Sequence, residues 1–164
     1  MKLSKPLIAS EIAKRFNAKL IGNAENKITS INEIHKVENG SLTFVDHLKY
    51  YQKVLDSEAT IILINKKATC PEGKTLLVVK DPFEVYNTLA LEARPFIAAT
   101  KMISDTATIG EGTIIQPNVF IGNHVTIGKN CIIHPNVTIY DYSEIGDNVI
   151  INSNTAIGND AFYY

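Results

Sequence analysis

Cysteine is scarce in this 164-residue chain, which has only Cys70 and Cys131, far apart in sequence. Such spacing makes neither a redox pair nor a zinc cluster, and reduced thiols in a cytoplasmic protein are the expectation. Long apolar runs are missing as well. No stretch reaches the roughly 18 residues of a membrane span. Met1 to Ser10 lack the apolar centre of a signal peptide, so any membrane contact is expected to be peripheral. A surplus of one charge is lacking too. Residues 1–100 carry 14 basic and 11 acidic side chains and residues 101–164 carry 2 and 6, so the halves stand at +3 and −4. Neither has the clustered basic face of a nucleic-acid binder. Phosphate loop, GxGxxG fingerprint and G-x-S-x-G elbow are all absent, and no cofactor is expected.

What the chain does have is isoleucine at every sixth position of its last third. Ile103, Ile109, Ile115, Ile121, Ile127, Ile133, Ile139, Ile145, Ile151 and Ile157 form an unbroken series. A helix repeats every three to four residues and a strand every two, so a strict six fits neither as one element. It fits the hexapeptide repeat of a parallel β-helix. Three hexapeptides per triangular coil would place isoleucines of successive coils about 4.8 Å apart in an internal column. Four residues after each isoleucine stands a small or β-branched residue, from Ala107 to Ala161, as the second inward position. Glycine follows the isoleucine at positions 110, 122, 128, 146 and 158, where a corner is expected to need an unusual backbone conformation.

The first hundred residues read as an α+β domain, with a boundary near residue 100 and the repeat array over 101–164. Ser10 is placed to cap a short helix carrying Ile12, Ala13 and Phe16, ended by Gly22 and Asn23. Strands are expected at residues 28–31, 41–45, 59–65 and 75–79, with a turn at Asn39-Gly40. A helix over about 46–55 would bury Leu48, Tyr51 and Leu55. Asp81-Pro82-Phe83-Glu84 is a strong helix start, with a capping aspartate, proline in the first turn and a buried stripe of Phe83, Tyr86, Leu89 and Ala90. On this reading alone the domain is a small fold that merely covers the bottom of the β-helix.

Among chemistry-bearing residues, His124 and His134 are ten apart and occupy different phases of the repeat, so a metal site between coils is not expected. His134 follows an inward isoleucine and would point outward at a corner. As a base at a subunit interface it lacks an identifiable acidic or hydroxyl partner. Phe44, His47 and Tyr50 place three flat side chains at spacing three across a strand-to-helix junction. Two rings flanking a gap can sandwich a planar base, at roughly 1–3 kcal/mol per stacking contact. Equally, Phe44 can be core and Tyr50 can lie on a buried helix face.

Ile34-x6-Ser41-x-x-Phe44, Lys49-Tyr50, Val79-Lys80-Asp81-Pro82-Phe83 and the hexapeptides together resemble the UDP-3-O-(3-hydroxyacyl)glucosamine N-acyltransferases of lipid A biosynthesis. The repeats IHPNVTIY (Ile133 to Tyr140) and IGNDAF (Ile157 to Phe162) are similar to that family's signature. The resemblance implies an α+β amino-terminal domain followed by a left-handed parallel β-helix. It implies a homotrimer in the cytoplasm, or peripheral to the inner membrane of a Gram-negative bacterium. The substrates would be UDP-3-O-acyl-glucosamine and an acyl carrier protein loaded with a 3-hydroxyacyl chain. Phe44 and Tyr50 would then sandwich uracil, with His47 where the family has asparagine. Ala161 and Tyr163 stand in place of signature glycines. The family's catalytic histidine would lie in coils beyond Tyr164, so the chain reads as a shortened form, inactive alone. The alternatives are a non-catalytic nucleotide-sugar-binding or trimerisation module, a sugar acetyltransferase, or a metal-dependent hydratase.

Overall fold

The computed structural model describes residues 1–159, and the chain divides into two compact units, Met1–Phe96 and Ile97–Tyr164. The front unit is built on the most apolar short run in its sequence. Strand β5 (Ile61–Ile64) has all four side chains at 0% exposure, because it lies in the interior of a sheet covered on both faces. Around it run β1 (Lys2–Ile8), β2 (Lys19–Gly22), β3 (Lys27–Ile31), β4 (Ser41–Val45) and β6 (Thr75–Val78) in the order β1-β3-β4-β5-β6-β2. Strands β3 to β6 are mutually parallel, and the two edge strands are antiparallel.

Helices α1 (Ala9–Arg15) and α3 (Pro82–Ala93) pack Ile12, Val85 and Leu89 against Leu42, Ile61, Leu63 and Leu77. On the other face α2 (Tyr51–Leu55) puts Val54 against Val45, Ile62, Ile64 and Leu76. Asp81 caps α3 as expected, accepting a hydrogen bond from the Glu84 N–H at 2.9 Å. The buried stripe of α3 is centred on Val85, however, with Phe83, Tyr86 and Ala90 only partly covered.

Several sequence expectations are corrected. Ser10 is not a cap but lies inside the first turn of α1, whose N-cap is Ile8 with no side-chain bond. The free N–H groups of Ala9 and Ser10 donate instead to the carbonyls of Asn26 and Ala24, so a neighbouring loop does the capping. That helix ends at Arg15, with Phe16 as its C-cap and Asn17 just beyond at a left-handed φ of 50°, and not at Gly22, which closes β2. The helix expected over 46–55 is a 3-10 turn (Leu48–Tyr50) followed by the single-turn α2, and Leu48 is exposed while Val54 is the buried residue. Strand β1, unforeseen, contains Pro6 and pairs through an irregular register, both tolerable on a sheet edge.

In the back unit, strands of two residues end on successive isoleucines and stack in three sheets. β7 (Thr108–Ile109), β10 (Thr126–Ile127) and β13 (Glu144–Ile145) form one, and β8 (Ile114–Ile115), β11 (Ile132–Ile133) and β14 (Ile150–Ile151) form the next. The third holds β9 (Phe120–Ile121), β12 (Thr138–Ile139) and β15 (Ala156–Ile157). All pairs are parallel and join residues 18 apart, the spacing of a three-hexapeptide coil. The result is a parallel β-helix. Ile121, Ile127, Ile133 and Ile139 are buried together with Val119, Val125, Cys131 and Val137, so both expected inward positions face the core.

The glycine expectation needs correction. Of the five glycines that follow an isoleucine, only Gly158 has a positive φ. The left-handed residue comes three positions after the isoleucine, at 112, 118, 124, 130, 136, 142, 148 and 154, with φ between 55° and 75°. Asparagine, which tolerates this conformation, fills five of those eight positions. At Gly110, Gly122 and Gly128 glycine is needed for closeness: a Cβ on Gly110 would lie 2.5 Å from the Gly128 carbonyl, and one on Gly128 would lie 2.6 Å from the Asp147 nitrogen, whereas one on Gly146 would meet open space.

Candidate functional site

Ligands of open α/β sheets bind outside the carboxyl ends of parallel strands, where loops leave the sheet. In the front unit those ends belong to β3, β4, β5 and β6, and the last three are followed by Asp46-His47, Asn65 and Val79-Lys80-Asp81 respectively. The loop after β4 carries two of the three candidate rings. His47 and Tyr50 stand with ring centroids 5.9 Å apart, tilted by 56°, and Tyr50 is half exposed. The Lys49 ammonium lies 5.5 Å from the Tyr50 ring centroid, a cation–π contact on a surface side chain. His47 is also the N-cap of the 3-10 turn, its Nδ1 accepting from the Lys49 N–H at 3.3 Å.

Phe44 belongs to another ring cluster. It packs on Phe83 at 5.5 Å and on Tyr86 at 4.8 Å, both tilted, and so fastens α3 to β4 while staying partly exposed. The structure thus brings His47 and Tyr50 together at the surface. Phe44 sits at the margin of the core, partly buried against α3 and partly exposed.

Sequence reasoning missed Asn65 and Tyr51. Asn65 Nδ2 donates to the Asp46 carbonyl at 2.7 Å, and the Tyr51 hydroxyl donates to Asn65 Oδ1. Burial pushes the Tyr51 phenol above its usual pKa range, which keeps it a donor. An asparagine that ends a buried strand gives no periodic signal, and only the strand order reveals the loop beside it. A cleft of 320 Å³ lies where β6 gives way to α3, lined by Phe16, Lys80, Asp81, Glu84 and Thr88 among others. One cation faces two carboxylates there, a balance poorly suited to a phosphate.

In the back unit, His134 is half-buried at a corner and has a partner one coil earlier, with Gln116 Nε2 at 3.4 Å from its Nδ1. His124 is exposed in a left-handed corner and stacks on Tyr142, one coil later, at 5.0 Å and 23°. Among the described residues no three His, Cys, Asp or Glu side chains converge as metal ligands. No helix of the described residues is long and apolar enough to cross a membrane. The end of the IGNDAF signature, with Ala161 and Tyr163, lies outside the described residues.

Comparison with known proteins converges on both units. Residues 25–91, which span β3 to α3, match the family model of UDP-3-O-(3-hydroxymyristoyl) glucosamine N-acyltransferase, LpxD. The chain carries an LpxD-family domain. Residues 106–141 and 124–159 match the bacterial transferase hexapeptide model of six repeats. The chain is 31% identical to a UDP-3-O-acylglucosamine N-acyltransferase of Christiangramia forsetii over 113 residues, 63% of this chain and 33% of that protein. To the proteins of the same name from Cytophaga hutchinsonii and Fusobacterium nucleatum it is 32% and 35% identical, over 68% and 70% of this chain and 33% and 35% of theirs. It therefore spans about a third of the length of these acyltransferases. The LpxD match contains Phe44, His47, Tyr50 and Asn65.

Proposed function

We propose that this LpxD-type chain supplies the nucleotide-recognition unit and the first coils of an N-acyltransferase acting on UDP-3-O-acyl-glucosamine in lipid A biosynthesis. The observation that carries the reading is the exposed His47–Tyr50 pair, placed by an LpxD-family domain at the carboxyl edge of its parallel strands. In this reading Tyr50 and Phe44 offer ring faces for uracil, and His47 supplies a polar contact to the base. In the reaction the 2-amino group of the sugar attacks the thioester carbonyl of a 3-hydroxyacyl chain on acyl carrier protein. An amide C–N bond forms, the C–S bond breaks, and the proton lost by nitrogen passes through a base to the departing thiol. His47 serves recognition in this scheme, and no residue of the chain is assigned as the base. A place in the cytoplasm, at or near the inner membrane, follows from the same reading.

A homotrimer is part of the proposal. The outward positions of β8, β11 and β14 are all isoleucine. Ile114 and Ile150 are 56% and 62% exposed and Ile132 is partly covered, an apolar stripe on one face that the other two sheets interrupt with Thr108, Thr126, Glu144 and Thr138. Such a stripe fits further copies of the same chain. Calorimetric titration with UDP-N-acetylglucosamine, beside Tyr50→Ala, tests the nucleotide site. Loss of one ring contact should weaken binding about five- to 150-fold, by roughly 1–3 kcal/mol. Undiminished binding in Tyr50→Ala would sink the assignment. Sedimentation of Ile114→Lys/Ile150→Lys against the parent tests the stripe, which is the wrong surface if both sediment alike.

A further inference from the structure

The turn that carries His47 and Tyr50 is held at both ends by one side chain. Asp46, immediately before it, accepts from Asn65 Nδ2 through its carbonyl, and Tyr51, immediately after it, donates its hydroxyl to Asn65 Oδ1. The assignment of the amide is forced. A backbone carbonyl can only accept, so Nδ2 faces Asp46, Oδ1 faces Tyr51, and the phenol must be the donor. Asn65 itself follows directly on β5, the strand with all four side chains fully buried, so the clamp is mounted on a deeply buried strand in the interior of the sheet.

Inside the clamp the turn orders its own polar groups. The Tyr50 N–H donates to the His47 carbonyl at 2.9 Å and the Lys49 N–H donates to His47 Nδ1 at 3.3 Å. Because Nδ1 accepts, the neutral imidazole carries its hydrogen on Nε2, and that N–H is the ring's free donor. A donor at that point suits a carbonyl edge such as uracil's.

We infer that Asn65 is a positioning residue of the nucleotide site, fixing the 47–50 turn so that the Tyr50 face and the His47 Nε2–H meet the base together. The inference rests on the nucleotide reading above. It requires both functions of an amide, an acceptor for Tyr51 and a donor for Asp46, which neither aspartate nor leucine supplies.

The test uses the whole chain as parent, Tyr51→Phe, Asn65→Asp and the double variant. Each is titrated with UDP, and amide hydrogen exchange is followed at Tyr50 and at Ile62 and Leu63 in β5. Releasing either end lowers the fraction of turns in the binding geometry, and apparent affinity falls in proportion. Each single variant should bind UDP about five- to tenfold more weakly. The double variant should lose less than the product of the two, because a turn freed at one end gains little from the second release. Exchange at Tyr50 should quicken in every variant and stay unchanged at Ile62 and Leu63. Variants that bind UDP as the parent does overturn the role of Asn65 and leave the site standing. Quickened exchange in β5 overturns it too, by showing that the whole sheet was weakened. A parent that does not bind UDP overturns the nucleotide reading and this inference with it.

Discussion

In the back unit Ile127 stands between Ile109 and Ile145, the same residue type one coil below and one coil above. In the front unit Ile62 stands between Thr43 of β4 and Leu76 of β6, neighbours of different chemistry drawn from unrelated sequence separations. Both isoleucines are buried, yet only the first could be placed from its own position in the repeat. In the β-helix one spacing, 18 residues, generates every neighbour, so environment is a property of phase. In the sheet of the front unit each neighbour is a separate fact of topology.

The largest expected effect compares two isoleucines of one column. Ile127 is 1% exposed and Ile109 is 37% exposed, because no described coil covers the latter from below. Ile127→Ala should lower unfolding free energy by about 2–5 kcal/mol, and Ile109→Ala by well under half of that. Urea unfolding of the two variants side by side measures the gap. Equal losses would mean that phase alone, without burial, sets the energetics.

The next effect separates two uses of small residues in the repeat. A Cβ at Gly128 meets backbone atoms of Gly146 and Asp147, so Gly128→Ala must push two coils apart, at about 1–3 kcal/mol. Asn136, with φ 61°, has a conformational demand instead. Asn136→Ala should cost roughly 1–2 kcal/mol, while Asn136→Gly should be nearly silent. Thermal denaturation of the three variants checks the contrast. A silent Gly128→Ala would show that the coils yield there without cost, so that close approach does not require the glycine.

These corner residues show where the sequence was legible and where it was not. Period six identified every inward isoleucine and the stacking by 18, because burial repeats with the chain. Asparagine at 118, 130, 136, 148 and 154 was equally periodic, but its meaning needed φ values, and the adjacent glycines drew the wrong explanation. In the front unit the runs of β4, β5 and β6 and the cap of α3 were readable, since each is a local signal. Ser10 looked like a cap because nothing local reveals that Asn26 and Ala24 take its place. Val85 was passed over in favour of aromatic neighbours whose rings reach only the margin of the core. For the candidate site, Tyr50 and His47 could be proposed from spacing, whereas the Asn65–Tyr51 contact required the order of strands.

The smallest effect concerns an ion pair that joins two helices of the front unit. Both guanidinium nitrogens at the end of Arg15, in the last turn of α1, bond the Glu92 carboxylate near the end of α3, with Nη1 2.7 Å from Oε2. The hydrogen bonds from Arg15 hold the Glu92 carboxyl below the usual range, burial opposes them, and the Arg15 charge adds to the lowering. A depressed folded pKa means that the pair stabilises fully above the unfolded value of about 4.3, and that its contribution disappears as pH falls through the folded value. Both side chains are about half exposed, at 49%, so solvent screens the gain and the effect is small. The melting temperature of Glu92→Gln should therefore lie slightly below that of the parent near neutral pH, with the two curves meeting only once pH has fallen below the depressed folded pKa. Added salt should close the same gap at neutral pH. A difference that persisted unchanged in acid and in salt would show that Glu92 acts by packing, which would bring this contact of the front unit closer to the purely steric logic of the repeat.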